Sequence, residues 1–323
     1  MNIHINRPQT APALNPETSA FALDALEGLT QTPKGLSPKY FYDATGSNLF
    51  EQITLLPEYY PTRTELGILR DRGADIGALI PPDAALVEFG AGATTKVRLL
   101  LKERSFAAYV PVDISGEFLA SQAAALRKDF PKLAVHPVTA DFTQTFELPE
   151  AVRDMPKVGF FPGSTIGNFE PGEASRFLKR AAEILGKGSL MILGVDLEKD
   201  ESLLQPAYND AAGVTAKFNL NLLVRMNREL GANFDVSSFS HRAHYNRTKH
   251  RIEMHLYSRK AQKARLCGRT ITFTAGESIH TENSYKYSIP RFAALARQSG
   301  WRLETSWTDA RGMFSVHALR ANL

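Results

Sequence analysis

The sequence predicts an α/β protein: a parallel sheet covered by helices on both faces, joined to a second lobe of mixed α and β character. Three observations predict it. Short apolar runs alternate with helical segments from Ala84 to Val195, the first four ending at Gly90, Asp113, Asp141 and Gly163. A glycine-rich turn follows the first run and opens a helix. The alternation then gives way to period-two segments over residues 239–285 and resumes in a C-terminal helix and hairpin.

The elements follow in order. Residues 1 to about 16 are polar and proline-rich and predict an arm. Phe21, Leu23, Leu26 and Leu29 fall at helical spacing within Glu17–Leu29. After the break at Pro33 and Pro38 comes an aromatic cluster of Tyr40, Phe41, Tyr42, Phe50, Tyr59 and Tyr60. Thr62 is placed to cap a helix running to about Arg72. Strands are predicted at 85–89, 107–112, 133–139, 157–161 and 190–195, with helices at 95–104, 115–130 and 173–185 between them. Val214–Leu230 reads as a helix stopped by Gly231. Alternation such as Ile252, Met254, Leu256 and Ile271, Phe273 reads as antiparallel strand. Helix 291–298, strand 301–307, a turn at Asp309–Gly312 and strand 313–319 close the chain. The core is thus split, with residues 1–63 and 199–285 forming one lobe and 64–198 and 286–323 the other.

Composition narrows the class. The 323 residues are 43% hydrophobic and 22% charged, which fits a folded globular protein. The net charge of +4 is a mild excess that fits solubility better than nucleic-acid binding. One cysteine, Cys267, excludes a disulfide framework and fits a reducing cytoplasm. No apolar run approaches the ~20 residues of a membrane span, and the N-terminus lacks the apolar core of a secretory signal. No metal site is expected: strand spacing does not gather His241, His244, His250 and His255, and no cysteine or paired carboxylate joins them.

The sharpest motif is Glu88-Phe89-Gly90-Ala91-Gly92-Ala93-Thr94-Thr95-Lys96. Small residues at Gly90 and Gly92 let a ligand approach the backbone. A dinucleotide would want a third glycine and a free helix N-terminus for its pyrophosphate, but Thr95 stands there. S-adenosylmethionine carries no phosphate, and Lys96 is placed to reach its methionine carboxylate. Asp113, at the end of the second strand, suits the ribose hydroxyls. Asp141 and Phe142, ending the third, suit adenine. The closing hairpin is the ending typical of Rossmann-like class I methyltransferase domains, which favours S-adenosylmethionine as the cofactor.

Longer strings carry a resemblance. Tyr40-Phe41-Tyr42-Asp43, Leu56-Pro57-Glu58-Tyr59-Tyr60-Pro61-Thr62-Arg63, Phe161-Pro162-Gly163-Ser164-Thr165-Ile166-Gly167-Asn168, Tyr208-Asn209-Asp210 and Thr281-Glu282-Asn283-Ser284 closely resemble the histidine-specific methyltransferase family of ergothioneine biosynthesis. The likeness spans nearly the whole chain beyond its first dozen residues. It implies a two-lobed monomer with a family-specific α+β substrate lobe, and trimethylation of the α-amine of free histidine to hercynine. The family's cofactor contacts map onto Gly90, Lys96, Asp113 and Asp141-Phe142. Its substrate contacts map onto Tyr59, Asn168, Tyr208, Met254, Glu282 and Ser284, with Tyr42 and Gly163 near the reacting amine. Asn283 departs from an apolar residue in some relatives; on a strand it points away from its neighbours.

The chemistry fits these residue types. Methyl transfer is an in-line displacement needing the attacking nitrogen about 3 Å from the methyl. Imidazole titrates near ~6.5 and an α-amine near ~8, so the ring is the more available nucleophile and must be held away. Glu282 and Ser284, two apart on a strand, share a face and together anchor it. Tyr59, Tyr208 and Asn168 offer donors to the carboxylate, and Tyr42 and Phe50 offer aromatic faces to a methylated ammonium. Mono- and dimethylated histidine are expected as intermediates. Two rival readings remain: an N-methyltransferase of another amino acid such as tryptophan, and an RNA or protein methyltransferase. The latter rests on the nine Lys/Arg between His241 and Arg269.

Overall fold

A computed structural model describes residues 16–322, with side chains from residue 20 onward, so all but the last residue of the predicted arm lies outside the described residues. Helix α1 spans Pro16–Thr30, and strand β1 is the short Lys34–Gly35. Helices α2 (Ala44–Thr54), α3 (Tyr60–Asp71) and α4 (Gly73–Leu79) follow. The alternating region gives β2 (Ala85–Phe89), α5 (Thr95–Glu103), β3 (Ala108–Asp113), α6 (Gly116–Asp129), β4 (Ala134–Val135), β5 (Val138–Thr139), β6 (Lys157–Phe161), α7 (Pro171–Leu185) and β7 (Leu190–Asp196). Next come α8 (Glu201–Leu204), α9 (Val214–Glu229), β8 (Phe239–Asn246), β9 (Arg251–Ser258), β10 (Gln262–Leu266), β11 (Arg269–Phe273) and β12 (Ser278–Tyr285). Helix α10 (Ile289–Gln298) and the hairpin β13 (Trp301–Thr308) and β14 (Phe314–Ala321) end the chain.

The large sheet runs β13-β14-β7-β6-β2-β3-β4, with β5 also on β3. Strands β2, β3, β6 and β7 are parallel neighbours, whereas β14 pairs antiparallel to β7 and to β13. From β2 the chain first adds strands outward on one side, then returns to add β6 and β7 on the other. That reversal beside β2 is the crevice where open α/β sheets bind ligands. Every residue of β2 and of β7 is buried, as expected for strands covered on both faces. Two apolar clusters, drawn from residues 68–195 and 285–321, pack on the two faces.

The second lobe has its own core, built from residues 21–60 and 204–279. Its sheet has the order β1-β12-β9-β8, with α9 packed against it and the β10–β11 hairpin set apart. The pairing of β12 with β9 shifts at Thr281: His280 faces His255, but Glu282 faces Met254. This one-residue bulge resets the alternation. It puts Glu282 and Ser284 on the inner face, with Ile279, Met254 and Leu256.

Two local expectations are corrected. The helix after the aromatic cluster starts at Tyr60 rather than being capped by Thr62, because Pro61 is already helical in its first turn, where its missing N–H costs nothing. The third strand is broken into β4 and β5, since Pro137 between them has no N–H to give the ladder. Among the described residues no helix is long and apolar enough to cross a membrane.

Candidate active site

A cleft of about 1900 Å³ opens over the carboxyl ends of β2, β3 and β6. It holds all six residues expected at a cofactor: Gly90, Gly92, Lys96, Asp113, Asp141 and Phe142. The turn after β2 crosses to its neighbour, and the Gly90 and Ala91 amides donate to the Val112 carbonyl at 2.8 and 3.0 Å. Gly90 has φ +72°, and a Cβ there would stand 3.2 Å from the Phe142 ring. A Cβ on Gly92 would instead point into open cleft. The first glycine is thus required by the protein's own packing, while the second leaves room for a ligand.

Asp113 sits at the end of β3, accepts the Ser115 amide at 2.8 Å, and is pushed above the usual carboxylate range by burial. A carboxylate desolvated this way gains from new donors such as ribose hydroxyls. Asp141 uses Oδ1 to cap its own turn, accepting the Thr143 amide at 2.9 Å. Phe142 packs edge-on against Phe161 and Phe177 at 5.6 and 5.9 Å, so its ring is a fixed wall. Lys96 lies in the first turn of α5 with its ammonium 2.7 Å from Glu65. Glu65 also accepts the Gly163 amide through both oxygens, at 3.0 and 2.9 Å. A glycine turn, a carboxylate at each of two successive strand ends and a lysine at the helix start together fit S-adenosylmethionine.

The deep end of the cleft passes into a small chamber of about 50 Å³. Tyr42, Tyr59, Gly163, Asn168 and Glu282 border both spaces, while Tyr208, Met254 and Ser284 line only the chamber. All eight expected substrate-side residues therefore meet at one place, although they come from segments up to 242 positions apart (284 − 42). The ring of Phe50 lies 5.7 Å from Tyr42 and 6.3 Å from Tyr59, and Tyr42 lies 5.8 Å from Phe218. These rings make an aromatic box. Burial holds the Tyr42, Tyr59 and Tyr208 hydroxyls well above the ordinary tyrosine range, so all three stay protonated donors.

Glu282 lies in the chamber wall. Burial pushes its carboxyl up to about 8, and the nearby Lys286 charge pulls it back only in part. Among the described residues no donor reaches this carboxyl, which leaves it free for a ligand. Asn283, on the opposite face, turns away and donates to Glu170 at 3.3 Å.

A buried polar layer underlies the chamber. The Lys286 ammonium, with no exposed surface, reaches Tyr208 at 2.9 Å, Ser284 at 2.8 Å and Asp196 at 2.8 Å. Asp196 also takes Lys199 at 2.6 Å and the Tyr60 hydroxyl at 2.7 Å, and its backbone amide donates to Ser164 Oγ at 2.9 Å. Sequence reasoning gave no site role to Glu65, Asp196 or Lys286, nor to Phe218 and Thr215 of the chamber, although the last two lie in strings that share the family resemblance. One signal was available for Lys286: it lies two past Ser284, on the same alternating pattern.

The histidines also differ from expectation. Antiparallel pairing of β8 with β9 brings His244, His255 and Glu253 together on the outer face of the lobe. The His244 and His255 rings stack 5.0 Å apart at 19°, so their lone pairs run side by side rather than converging on one ion. Of the basic run beside them, Arg251 pairs with Glu253 and Glu170, Arg247 with Glu201 and Lys260 with Asp235.

A sheet of this order, with its antiparallel last strand and a cleft at the reversal point that carries the glycine turn and both acidic strand ends, defines a class I S-adenosylmethionine-dependent methyltransferase. The chain belongs to the histidine-specific, S-adenosylmethionine-dependent methyltransferase family, whose model matches residues 21–321. It is 42% identical over 314 residues to the histidine N-alpha-methyltransferase of Mycolicibacterium smegmatis, covering 94% of this chain and 96% of that one. The Mycobacterium tuberculosis enzyme of the same name is 41% identical over 303 residues, covering 92% and 94%. Ergothioneine biosynthesis protein 1 of Neurospora crassa is 29% identical over 297 residues, covering 85% of this chain and 32% of its own length.

Proposed function

We propose that this protein transfers three methyl groups in turn to the α-amine of free L-histidine, giving hercynine for ergothioneine synthesis. The observation that carries the proposal is Glu282: a half-buried carboxyl with no donor among the described residues, in the wall shared by the chamber and the cofactor cleft. An imidazole N–H satisfies it. Residues 1–63 and 199–285 act as the substrate lobe, and 64–198 with 286–323 as the cofactor lobe of a monomer.

S-adenosylmethionine, held by Gly90, Gly92, Lys96, Asp113 and Asp141-Phe142, supplies an electrophilic methyl when bound. The protein's own part is positioning. Glu282 and Ser284 hold the ring inside the chamber, with Ser284 on the side that does not face the cleft. Tyr59, Tyr208 and Asn168 donate to the α-carboxylate, and Met254 fills the apolar side of the ring. This leaves the amine at the junction of the two spaces, beside Gly163 and Tyr42. The aromatic box accepts an ammonium that grows more apolar with each methyl, through cation–π attraction of about 0.5–2 kcal/mol. A quaternary nitrogen has no lone pair, so the sequence of transfers ends there. Because the three tyrosines stay protonated, no phenolate base is offered and the amine proton leaves to solvent.

Mass spectrometry of histidine incubated with the protein and S-adenosylmethionine tests the proposal. Products heavier by one, two and three methyl groups are expected on the α-nitrogen. Methylation on the ring, or of tryptophan in preference to histidine, would overturn it.

A further inference from the structure

We propose that Lys286 is a specificity-determining positioning residue: it fixes the proton arrangement of the Tyr208–Ser284 pair so that Ser284 faces the substrate as a hydrogen-bond acceptor and demands a ring N–H. The inference rests on the histidine reading above, and in particular on Tyr208 donating to the substrate carboxylate.

The argument is a count of protons. An ammonium has three, and Lys286 has three partners within hydrogen-bond distance: Asp196 Oδ2, Tyr208 Oη and Ser284 Oγ. The side chain is fully buried, so no water competes for them. Both hydroxyl oxygens therefore accept from Lys286. The two oxygens also lie 2.7 Å apart, close enough that one must donate to the other. Two hydroxyl protons are available and one is consumed between them, so the pair can offer the chamber a single O–H.

A carboxylate only accepts. When Tyr208 gives its proton to the substrate carboxylate, the proton between the two hydroxyls has to come from Ser284. Ser284 Oγ then accepts from Lys286, donates to Tyr208, and has one lone pair left for the chamber. A ring N–H satisfies that lone pair, and the second ring nitrogen meets Glu282. Asp196, which also pairs with Lys199, holds the Lys286 ammonium in place from behind at 2.8 Å. Without Lys286 nothing presses the two hydroxyl oxygens together, and the Ser284 proton is free to turn outward.

The test compares histidine with 3-(thiazol-4-yl)alanine, whose ring is of similar size but has no N–H. The wild-type protein is expected to favour histidine at least 100-fold in kcat/KM. In Lys286→Met, which keeps the side-chain length, that preference is expected to shrink at least tenfold, carried by KM for the two substrates rather than by kcat. If Lys286→Met does not fold, Tyr208→Phe breaks the same proton chain and is expected to shrink the preference in the same direction. An unchanged preference in a folded variant of either kind overturns the inference. A wild-type protein that does not methylate histidine at all overturns the functional reading instead, so the two failures are distinct.

Discussion

Glu65 and Lys96 form an ion pair of 2.7 Å inside the cleft, and the same Glu65 carboxylate accepts the Gly163 amide. One buried side chain on α3 thus ties the lysine in the first turn of α5 to the turn after β6. Gly194 makes room for it, since a Cβ there would fall 2.1 Å from Glu65. Removing the carboxylate leaves a largely buried ammonium and an amide without a partner. Glu65→Ala is expected to destabilise the fold by about 3 kcal/mol, in the range of broken buried pairs. Chemical denaturation checks this, and kcat/KM for methyl transfer is expected to fall with it.

Glu282 makes histidine binding depend on pH. Burial pushes its carboxyl up to about 8 from the ordinary 4.5, so folding stability is lost as pH rises between those values. Bound, the carboxyl and the ring share one proton. Below about 6.5 the free ring already carries an extra proton that binding must expel. Above 8 the pair must take one up. Histidine affinity is expected to peak between these limits, with proton release on the acid side and uptake on the alkaline side. Calorimetry in two buffers of different ionisation heat measures both. In Glu282→Gln the alkaline limb is expected to vanish, and affinity at neutral pH to fall roughly 10- to 100-fold, the worth of one charge-assisted hydrogen bond.

Gly90→Ala tests the cofactor turn. The position has φ +72°, a region that costs a non-glycine residue about 1–2 kcal/mol, and the added methyl meets Phe142 at 3.2 Å. Displacing Phe142 moves the wall proposed for adenine. The dissociation constant for S-adenosylmethionine is expected to rise at least tenfold while the thermal midpoint drops by a few degrees. Unaltered cofactor affinity would mean that Phe142 does not face the ligand.

Phe50→Leu separates early from late methyl transfers. The ring closes the aromatic box beside Tyr42 and Tyr59. Its loss removes cation–π attraction that matters most once the nitrogen is a fixed cation. The variant is expected to accumulate mono- and dimethylhistidine, with the third transfer slowed several-fold more than the first. A time course of products by mass spectrometry gives the three rates.

By itself the sequence determined what short-range chemistry dictates. The apolar runs, the Gly90–Gly92 turn and the acidic strand ends Asp113 and Asp141 are local signals, and they lie where they were expected except that Pro137 splits the third run into β4 and β5. That the eight substrate-side residues line one chamber was legible only because long strings matched a family, since a tyrosine or a methionine on its own reads as core. Only the tertiary structure decided how the buried charges are matched. Glu65 meets Lys96 and Gly163, and Lys286 meets Asp196 and Tyr208, across separations that no periodicity encodes. It also decided the bulge at Thr281, on which the facing of Glu282 depends. The physical reason is common to all of these: a charge withdrawn from water must find its partner wherever packing brings one, and packing is a property of the whole chain.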